Sequence, residues 1–291
     1  MAVAERAPPA RLSRTESAAP RLARGGGAAR RRRIGLGLVI PLILLVLWEA
    51  ACRVGFIPPN KLPAPTAVFD EMAGMAATGE LFGHIGITLY RVFAGFFLGA
   101  AAATVAGSLT GYSRTCRELL DPLVQGFRSV PSLAWVPLFI LWLGIYELSK
   151  VTLIAVGVFF PVYLNLMSGI QSVDRKLVEV GRVYRLSGWK LVRRVLLPAT
   201  LPSYLVGLRS GLGLGWMFVI AAELMGASKG LGFLLLDGEQ TSRPKPIIGS
   251  IILFALFGKL TDVILVTVGN RLVGWQDSFK AQSEEGENAA H

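Results

Sequence analysis

The sequence predicts an all-α integral membrane protein with six transmembrane helices, and two observations predict it. Of its 291 residues, 53% are hydrophobic and 17% are charged, whereas soluble domains carry about 25% charged residues. The apolar residues also gather into runs of about 20, which is the length that a helix needs to cross the hydrocarbon core of a bilayer.

The N-terminal residues 1–33 are rich in Ala, Pro, Arg and Gly and contain almost no large apolar residues. This composition predicts a disordered basic tail, because it cannot bury enough apolar surface to fold. The apolar residues 34–52 follow directly. Their run is longer than the core of about 7–15 residues in a signal peptide. We therefore interpret it as a retained first span, with the N-terminus in the cytoplasm.

Five more spans are predicted at residues 85–112, 123–145, 151–170, 199–225 and 247–272. The connection before them begins with a proline-rich extended piece and continues as a predicted surface helix over residues 65–82. The transmembrane domain therefore covers residues 34–273, and the polar residues 274–291 form a loose tail. Alternation across the membrane places this tail in the cytoplasm as well.

Residues 171–198, which we call the basic segment, connect the fourth and fifth predicted spans. They contain seven Lys or Arg residues and two acidic residues. The first outer connection, counted over residues 54–84, contains one Lys and no Arg, whereas the last, residues 226–246, contains three basic residues and fits less well. Because Lys and Arg are enriched in cytoplasmic loops, the basic segment is predicted to face the cytoplasm.

The basic segment is patterned as two short amphipathic helices, which a simple connection would not need. A break is predicted at Gly188, with Ser187 as the N-cap of the second helix, and an end at Pro198. The apolar stripes are Leu177, Val180 and Tyr184 in the first helix and Trp189, Val192 and Leu196 in the second. This pattern indicates docking of another protein; the alternative is a helix that lies on anionic lipid headgroups.

Charged residues inside predicted spans are costly, so each one indicates either an ion pair or a functional position. Arg209 lies about 15 Å into the fifth span. It is a candidate for contact with an anionic solute in a pathway, or for a structural ion pair with a carboxylate. Glu223, near the outer end of the fifth span, is a second possible pathway residue, and Arg91 lies near the outer end of the second span. Lys259 and Asp262 share a helical face and are predicted to pair.

Small residues recur at every fourth position in two spans, and proline interrupts two others. The small residues are Gly95, Gly99, Ala103, Gly107 and Gly111 in the second span and Gly207, Gly211 and Gly215 in the fifth. Such stripes predict close helix packing, either within one bundle or between subunits. Pro131, Pro137 and Pro161 predict kinks, set either by packing or by a gated pathway.

The sequence offers little chemistry of its own. It has no phosphate-binding loop of the P-loop type, no catalytic cluster, and no His/Cys spacing typical of a metal site. Cys52 and Cys116 are predicted on opposite sides of the membrane. The net charge of +11 comes from the tail and the basic segment, which does not indicate nucleic-acid binding. We therefore predict a conduit without cofactors, and not an enzyme.

The basic segment resembles the cytoplasmic "EAA" loop in the permease subunits of ABC importers. That loop has Glu-Ala-Ala, a Gly four residues later and a terminal Ile-x-Leu-Pro. Matching positions here are Glu179, Val195, Leu197 and Pro198. The departures are Val180 and Gly181 for the two Ala residues, Val195 for Ile, and Arg185 for the Gly. Because Arg resists the left-handed backbone that Gly allows, we expect the break to move to Gly188.

Four further segments are similar to the nitrate/sulfonate/taurine branch of these binding-protein-dependent permeases. They are TLYRVFAGFFLGAAAATVAGSLTGYS, PLVQGFRSVPSLAWVPLFILWLGIYELSK, NLMSGIQSVD and GLRSGLGLGWMFVIAAELMGASKGLGFL. The resemblance implies a bacterial inner-membrane permease that imports a small anionic solute. Its implied partners are a dimer of ATPase subunits, a periplasmic solute-binding protein and a second permease copy.

The resemblance also implies which residues couple the permease to the ATPase. These are Glu179, Gly181, Arg182, Tyr184, Arg185, Gly188, Trp189, Leu197 and Pro198. An ion-gradient-driven secondary transporter is the alternative. It would show inverted repeats and buried carboxylates near the midplane, and neither is visible in the sequence. Only the ABC importer is expected to copurify with a stoichiometric soluble ATPase.

Overall fold

The computed structural model describes residues 26–273. The chain divides into two compact units, Met1–Ala50 and Ala51–His291. The described part of the first unit is a long helix, α1 (Gly26–Arg53), which begins within the predicted tail and continues into the second unit. The rest of the predicted N-terminal tail, residues 1–25, and the predicted C-terminal tail, residues 274–291, lie outside the described residues.

All regular structure among the described residues of the second unit is helical, which confirms the predicted fold class. The helices are α2 (Pro65–Ala77), α3 (Glu80–Tyr112), α4 (Arg114–Ser129), α5 (Val136–Leu143), α6 (Glu147–Gln171), α7 (Arg175–Val183), α8 (Gly188–Leu191), α9 (Leu197–Leu224), α10 (Leu231–Gln240) and α11 (Pro244–Leu272). A short 3₁₀ helix (Ser132–Trp135) precedes α5, and a π-helical turn (Val192–Leu196) joins α8 to α9.

Four of these helical stretches are long and apolar enough to cross a membrane, namely Glu80–Tyr112, Glu147–Gln171, Val192–Leu224 and Pro244–Leu272. The pair formed by α4 and α5 gives a fifth if the two are one bent span. The predicted first span falls within α1, whose side chains are not described before residue 39. The count of six spans therefore stays a prediction.

The predicted third span is two helices and not one. α4 and the helical stretch that contains α5 meet at 90°. Pro131 explains the break, because proline disfavours a helical backbone in the residue before it and cannot donate a helix hydrogen bond. Val130 is accordingly extended, with φ −79° and ψ 125°. Pro137 lies in the first turn of α5, where a missing N–H has no cost.

The centre of the second unit is a layer of three helices, with α6 packed between α3 and α9. The small residues of α3 and α9 both face α6. A methyl group added at Gly99 would overlap the backbone carbonyl of Ala155, and one at Gly211 would come within 3.0 Å of Val162 Cγ2. Both stripes therefore serve helix packing within this chain, as small residues do where backbones approach closely in lipid.

Candidate functional site

The basic segment folds as two helices joined by a tight turn. Helix α7 begins at Asp174, whose side chain accepts a hydrogen bond from the N–H of Lys176 at 2.9 Å. This N-cap satisfies one of the donors left free at the start of a helix. After the turn, α8 and the π-helical turn run without a break into α9. The segment is therefore continuous with a membrane-spanning helix.

Helix α7 ends in a Schellman motif. The N–H of Arg185 donates to the carbonyl of Arg182 at 2.8 Å, and the N–H of Leu186 donates to the carbonyl of Gly181 at 3.0 Å. This motif needs a left-handed residue, usually glycine, where Arg185 stands. Arg185 adopts that conformation with φ +56°, at a cost of about 1–2 kcal/mol. Gly188 is also left-handed, with φ +53°. The expected move of the break to Gly188 is therefore wrong, because the turn contains a left-handed residue at both positions.

One side of the basic segment is buried against the ends of the long helices. Gly181 is buried, and a methyl group there would come within 2.6 Å of Leu191 Cδ1. The N–H of Gly188 donates to the Tyr112 hydroxyl at 3.2 Å, which ties the turn to the end of α3. A small apolar cluster completes this side, formed by Leu166, Ile170, Val192 and Leu196 with Val178 and Leu197 packed against it.

The opposite side of α7 exposes large apolar side chains. Val183 and Tyr184 are 81% and 76% exposed, and Leu177 and Val180 are about half exposed. We call these four residues the apolar face of α7. The face points away from the end of the helix bundle, because the buried side of the segment faces the bundle. Such an apolar surface on a polar segment is a candidate interaction site.

Charged side chains surround the apolar face. Glu179, Arg182 and Arg185 are all exposed, and none of the three forms an ion pair with another described side chain. Pro198 is exposed in the first turn of α9. The Trp189 side chain, which the sequence suggested as an apolar contact, lies outside the described part of the structure.

A buried ion-pair network lies at the other end of the bundle. Arg91 is 1% exposed. Its Nε and Nη2 atoms donate to the two carboxylate oxygens of Glu147 at 2.6 and 2.7 Å. Its Nη1 atom donates to Glu223 Oε1 at 2.8 Å and to the carbonyl of Lys229 at 2.7 Å. One guanidinium therefore joins α3, α6, α9 and the connection after α9.

Glu223 is fully buried, and both of its carboxylate oxygens accept hydrogen bonds. Oε1 also accepts from the hydroxyl of Thr88 at 2.8 Å, and Oε2 accepts from the N–H of Gly232 at 2.7 Å. The two residues before Gly232 also donate their N–H groups to α3. The N–H of Leu231 donates to Thr88 Oγ1, and that of Gly230 donates to His84 Nδ1. The connection after α9 is thus fixed to α3 by successive backbone donors.

Lys150 completes the network. Its ammonium group is buried, lies 3.7 Å from Glu147 Oε1, and donates to the carbonyl of Ile145 at 2.7 Å. Two cations, Arg91 and Lys150, therefore balance two carboxylates, Glu147 and Glu223. This balance matters because an unpaired charge in a low-dielectric site is strongly destabilising.

Arg209 is part of a second, more exposed ion pair. Its Nε and Nη2 atoms donate to the two carboxylate oxygens of Asp262 at 2.6 and 3.0 Å. The predicted pair of Lys259 and Asp262 is present at 3.6 Å, but Arg209 is the closer partner. Arg209 and Glu223 are not brought together, since fourteen residues along one helix span about 21 Å.

Residues 95–274 match the family model described as "Binding-protein-dependent transport system inner membrane component". The chain belongs to this family. The match covers all of the long helices described above from the middle of α3 onward. It confirms the resemblance read from the basic segment, and it places the chain among multi-pass inner-membrane permeases and not among enzymes.

The curated relatives include importer permeases for three kinds of solute. The chain is 41% identical to a putative aliphatic sulfonates transport permease protein, SsuC, of Bacillus subtilis (strain 168), over 86% of this chain and 91% of the relative. It is 31% identical to the taurine transport system permease protein TauC of Escherichia coli (strain K12), over 84% and 90%. It is 29% identical to the nitrate import permease protein NrtB of Leptolyngbya laminosa, over 85% and 90%.

The fold is also similar to that of a solved transporter. A chain of the MetNI methionine ABC transporter in an inward-facing conformation matches with a TM-score of 0.60 and 19% identity, over 66% of this chain and 96% of that chain. At this identity the similarity concerns the fold alone. It shows that the matched helices are arranged as in that transporter chain.

Proposed function

We propose that this chain is the permease subunit of an ATP-driven importer, that it forms the translocation pathway, and that it couples to a separate ATPase. Its solute is a small compound that is or carries an oxyanion group, such as an aliphatic sulfonate, taurine or nitrate, and the names of the relatives support this solute class. In this proposal two permease copies, two ATPase subunits and a periplasmic solute-binding protein form the transporter. Both termini of the chain and the basic segment lie in the cytoplasm.

The exposed apolar face of α7 is the observation that carries the proposal. It is an apolar surface on a polar segment that is anchored to the helix bundle from its other side. A cleft on the ATPase would cover this face, with Tyr184 and Trp189 as apolar contacts and Glu179 and Arg182 as charged contacts at its edge. Burial of these side chains provides the free energy of docking, and the charges provide specificity.

Helix α9 can transmit motion from the docked segment to the other side of the membrane. Leu197 and Pro198 begin α9 directly after the π-helical turn, and the helix has 28 residues, so it is about 42 Å long. Glu223 lies at its far end, in the buried network. When the ATPase dimer closes on ATP and moves the two basic segments, each α9 moves as a rod together with α3 and α6. The pathway then opens alternately to each side.

Arg209 is the residue that we propose for contact with an anion in the pathway. Its side chain is 56% exposed, and that of Lys259 nearby is 72% exposed. Both lie near the middle of long helices, where a charge in contact with lipid costs about 2.5–3.5 kcal/mol. This face is therefore expected to border water or protein. Glu223, which has no accessible surface, we assign to the buried network and not to the solute.

Charge reversal at Glu179 tests the proposal. In the Glu179→Arg variant, we expect the permease to fold and insert normally, because Glu179 is exposed and forms no ion pair with another described side chain. Transport is expected to be abolished, since the reversed charge opposes docking of the ATPase. The measurements are copurification of a stoichiometric ATPase and uptake of short alkanesulfonates, taurine and nitrate.

A matched control is Glu118→Arg, which makes the same change at another exposed acidic residue on the same predicted side of the membrane. Glu118 pairs only with Arg114 across one turn of α4, and such surface pairs contribute little to stability. This control should keep the ATPase and keep uptake. Normal uptake by the Glu179→Arg variant at normal expression would contradict the docking role. Absence of an ATPase from the wild-type protein would contradict the proposed function as a whole.

A further inference from the structure

Arg185 holds a strained backbone conformation that its own turn does not require. It is one of two non-glycine residues with positive φ in the described chain, the other being Ser242. The two hydrogen bonds of the Schellman motif involve only backbone atoms of residues 181–186. A glycine at this position would make both bonds without strain. The arginine side chain is therefore not needed to form the turn.

The Arg185 side chain also makes no stabilising polar contact within the described chain. It is exposed, and no hydrogen bond or ion pair joins its guanidinium to any other described residue. It directly follows Val183 and Tyr184, the most exposed members of the apolar face of α7. Strained backbone conformations cluster at functional sites. The described residues supply no interaction that offsets the strain at Arg185.

We propose that Arg185 is a partner-specificity residue, whose guanidinium pairs with a carboxylate on the docking surface of the ATPase subunit. This inference rests on the proposed function, since it assumes that the apolar face of α7 docks an ATPase. A planar guanidinium recognises a carboxylate through two parallel hydrogen bonds, which fixes orientation as well as charge. Two of the three charged side chains around the apolar face, Arg182 and Arg185, are basic, so a complementary surface carries carboxylates opposite them and a cation opposite Glu179.

Anionic lipid is the other partner that could offer a negative charge. The geometry favours protein, because Arg185 lies beside an apolar face that points away from the bundle end and therefore away from the membrane. The contact made by Arg185 would set the choice among ATPases, since a mismatched ATPase would leave the cation without its carboxylate.

Three substitutions separate the charge of Arg185 from its backbone strain. Arg185→Gly removes both, Arg185→Asn removes the charge but tolerates the left-handed conformation, and Arg185→Lys keeps both. Each permease variant is reconstituted in nanodiscs of zwitterionic lipid and, separately, in nanodiscs that contain anionic lipid. It is then titrated, at several salt concentrations, with the ATPase that copurifies with the wild-type permease. Thermal unfolding of each variant is measured in parallel.

We expect Arg185→Gly and Arg185→Asn to bind this ATPase about tenfold more weakly than wild type, with a weaker dependence on salt. Their unfolding midpoints should equal or exceed that of wild type, and Arg185→Lys should retain most of the affinity. A fourth variant, Arg185→Glu, reverses the charge and should also bind weakly. Changing the partner acidic residue of the ATPase to Arg should restore the affinity of this variant. Wild-type affinity in Arg185→Gly would overturn the inference while leaving the proposed function intact. A loss of affinity seen only in nanodiscs with anionic lipid would overturn it too. A wild-type permease that binds no ATPase would overturn the proposed function itself.

Discussion

At the scale of single residues, the buried network shows why arginine and not lysine occupies position 91. The guanidinium makes four hydrogen bonds, in two directions, to Glu147, Glu223 and the carbonyl of Lys229. A lysine ammonium has three donors and no planar fork, so it cannot make the paired contact with Glu147 and also reach Glu223. Removing one partner would leave an uncompensated buried charge at the other.

The network therefore predicts the effect of truncating Arg91. We expect Arg91→Ala to lower the free energy of unfolding by about 3–5 kcal/mol, and Arg91→Lys to recover only part of this loss. Thermal unfolding in detergent or nanodiscs measures both. Arg114→Ala is the control, because Arg114 forms only an exposed pair with Glu118 and should change stability little. Equal unfolding midpoints for Arg91→Ala and Arg114→Ala would contradict this account.

Sequence reasoning found only part of this network. It placed Arg91 and Glu223 near the outer ends of their spans, but it left Glu147 in the short connection between the third and fourth predicted spans. The reason is physical: Arg91 pairs with residues 56 and 132 positions away, and spacing rules relate only neighbours on one helix. The local pair of Lys259 and Asp262, in contrast, was predicted. The closer partner of Asp262 is Arg209, which lies on another helix.

At the scale of helices, the small-residue stripes decide how closely α3 and α9 approach α6. The spacing by four predicted a packing surface, but it could not tell which helix would meet it. Contacts such as that of Gly99 with Ala155 give the answer. Pro131 likewise predicted a kink, while the 90° bend depends on the extended Val130 and the 3₁₀ turn that follows. A local sequence signal fixes the position of a break better than its angle.

The close approach of α3 and α6 predicts opposite effects for two glycines of the same helix. Gly99→Ala would place a methyl group against the backbone of Ala155, which cannot move aside as a side chain can. We expect a loss of about 1–3 kcal/mol in stability. Gly86→Ala is the matched control, because nothing lies within 4 Å of a methyl group there. It should be neutral, or stabilising by up to about 1 kcal/mol. Thermal unfolding compares the two, and a neutral Gly99→Ala would show that the helices are not in close contact.

At the scale of the whole molecule, we propose that the two ends of the bundle have separate roles in coupled transport. The basic segment lies at one end of α9, and the Arg91 network lies at the other. The network is the only place where described charged side chains of α3, α6 and α9 all meet. If these helices must move together, then loosening the network should weaken coupling without affecting attachment of the ATPase. Damage at the basic segment should do the reverse and remove the ATPase itself.

Glu147→Gln tests whether the Arg91 network and the basic segment have these separate roles. Glu147 is half exposed, and the amide oxygen of Gln can still accept one hydrogen bond from Arg91, so we expect a smaller loss of stability than in Arg91→Ala and a fold that persists. Arg91 would lose its charged partner on α6, and the link from α6 to α3 and α9 at that end would be weaker. We expect this variant to copurify with a stoichiometric ATPase and to hydrolyse ATP, but to import fewer molecules of short alkanesulfonate or taurine per ATP than wild type. The ratio is measured in proteoliposomes, beside Glu179→Arg, which should lose the ATPase altogether. An unchanged ratio in Glu147→Gln, or loss of its ATPase, would mean that the network does not join the moving helices.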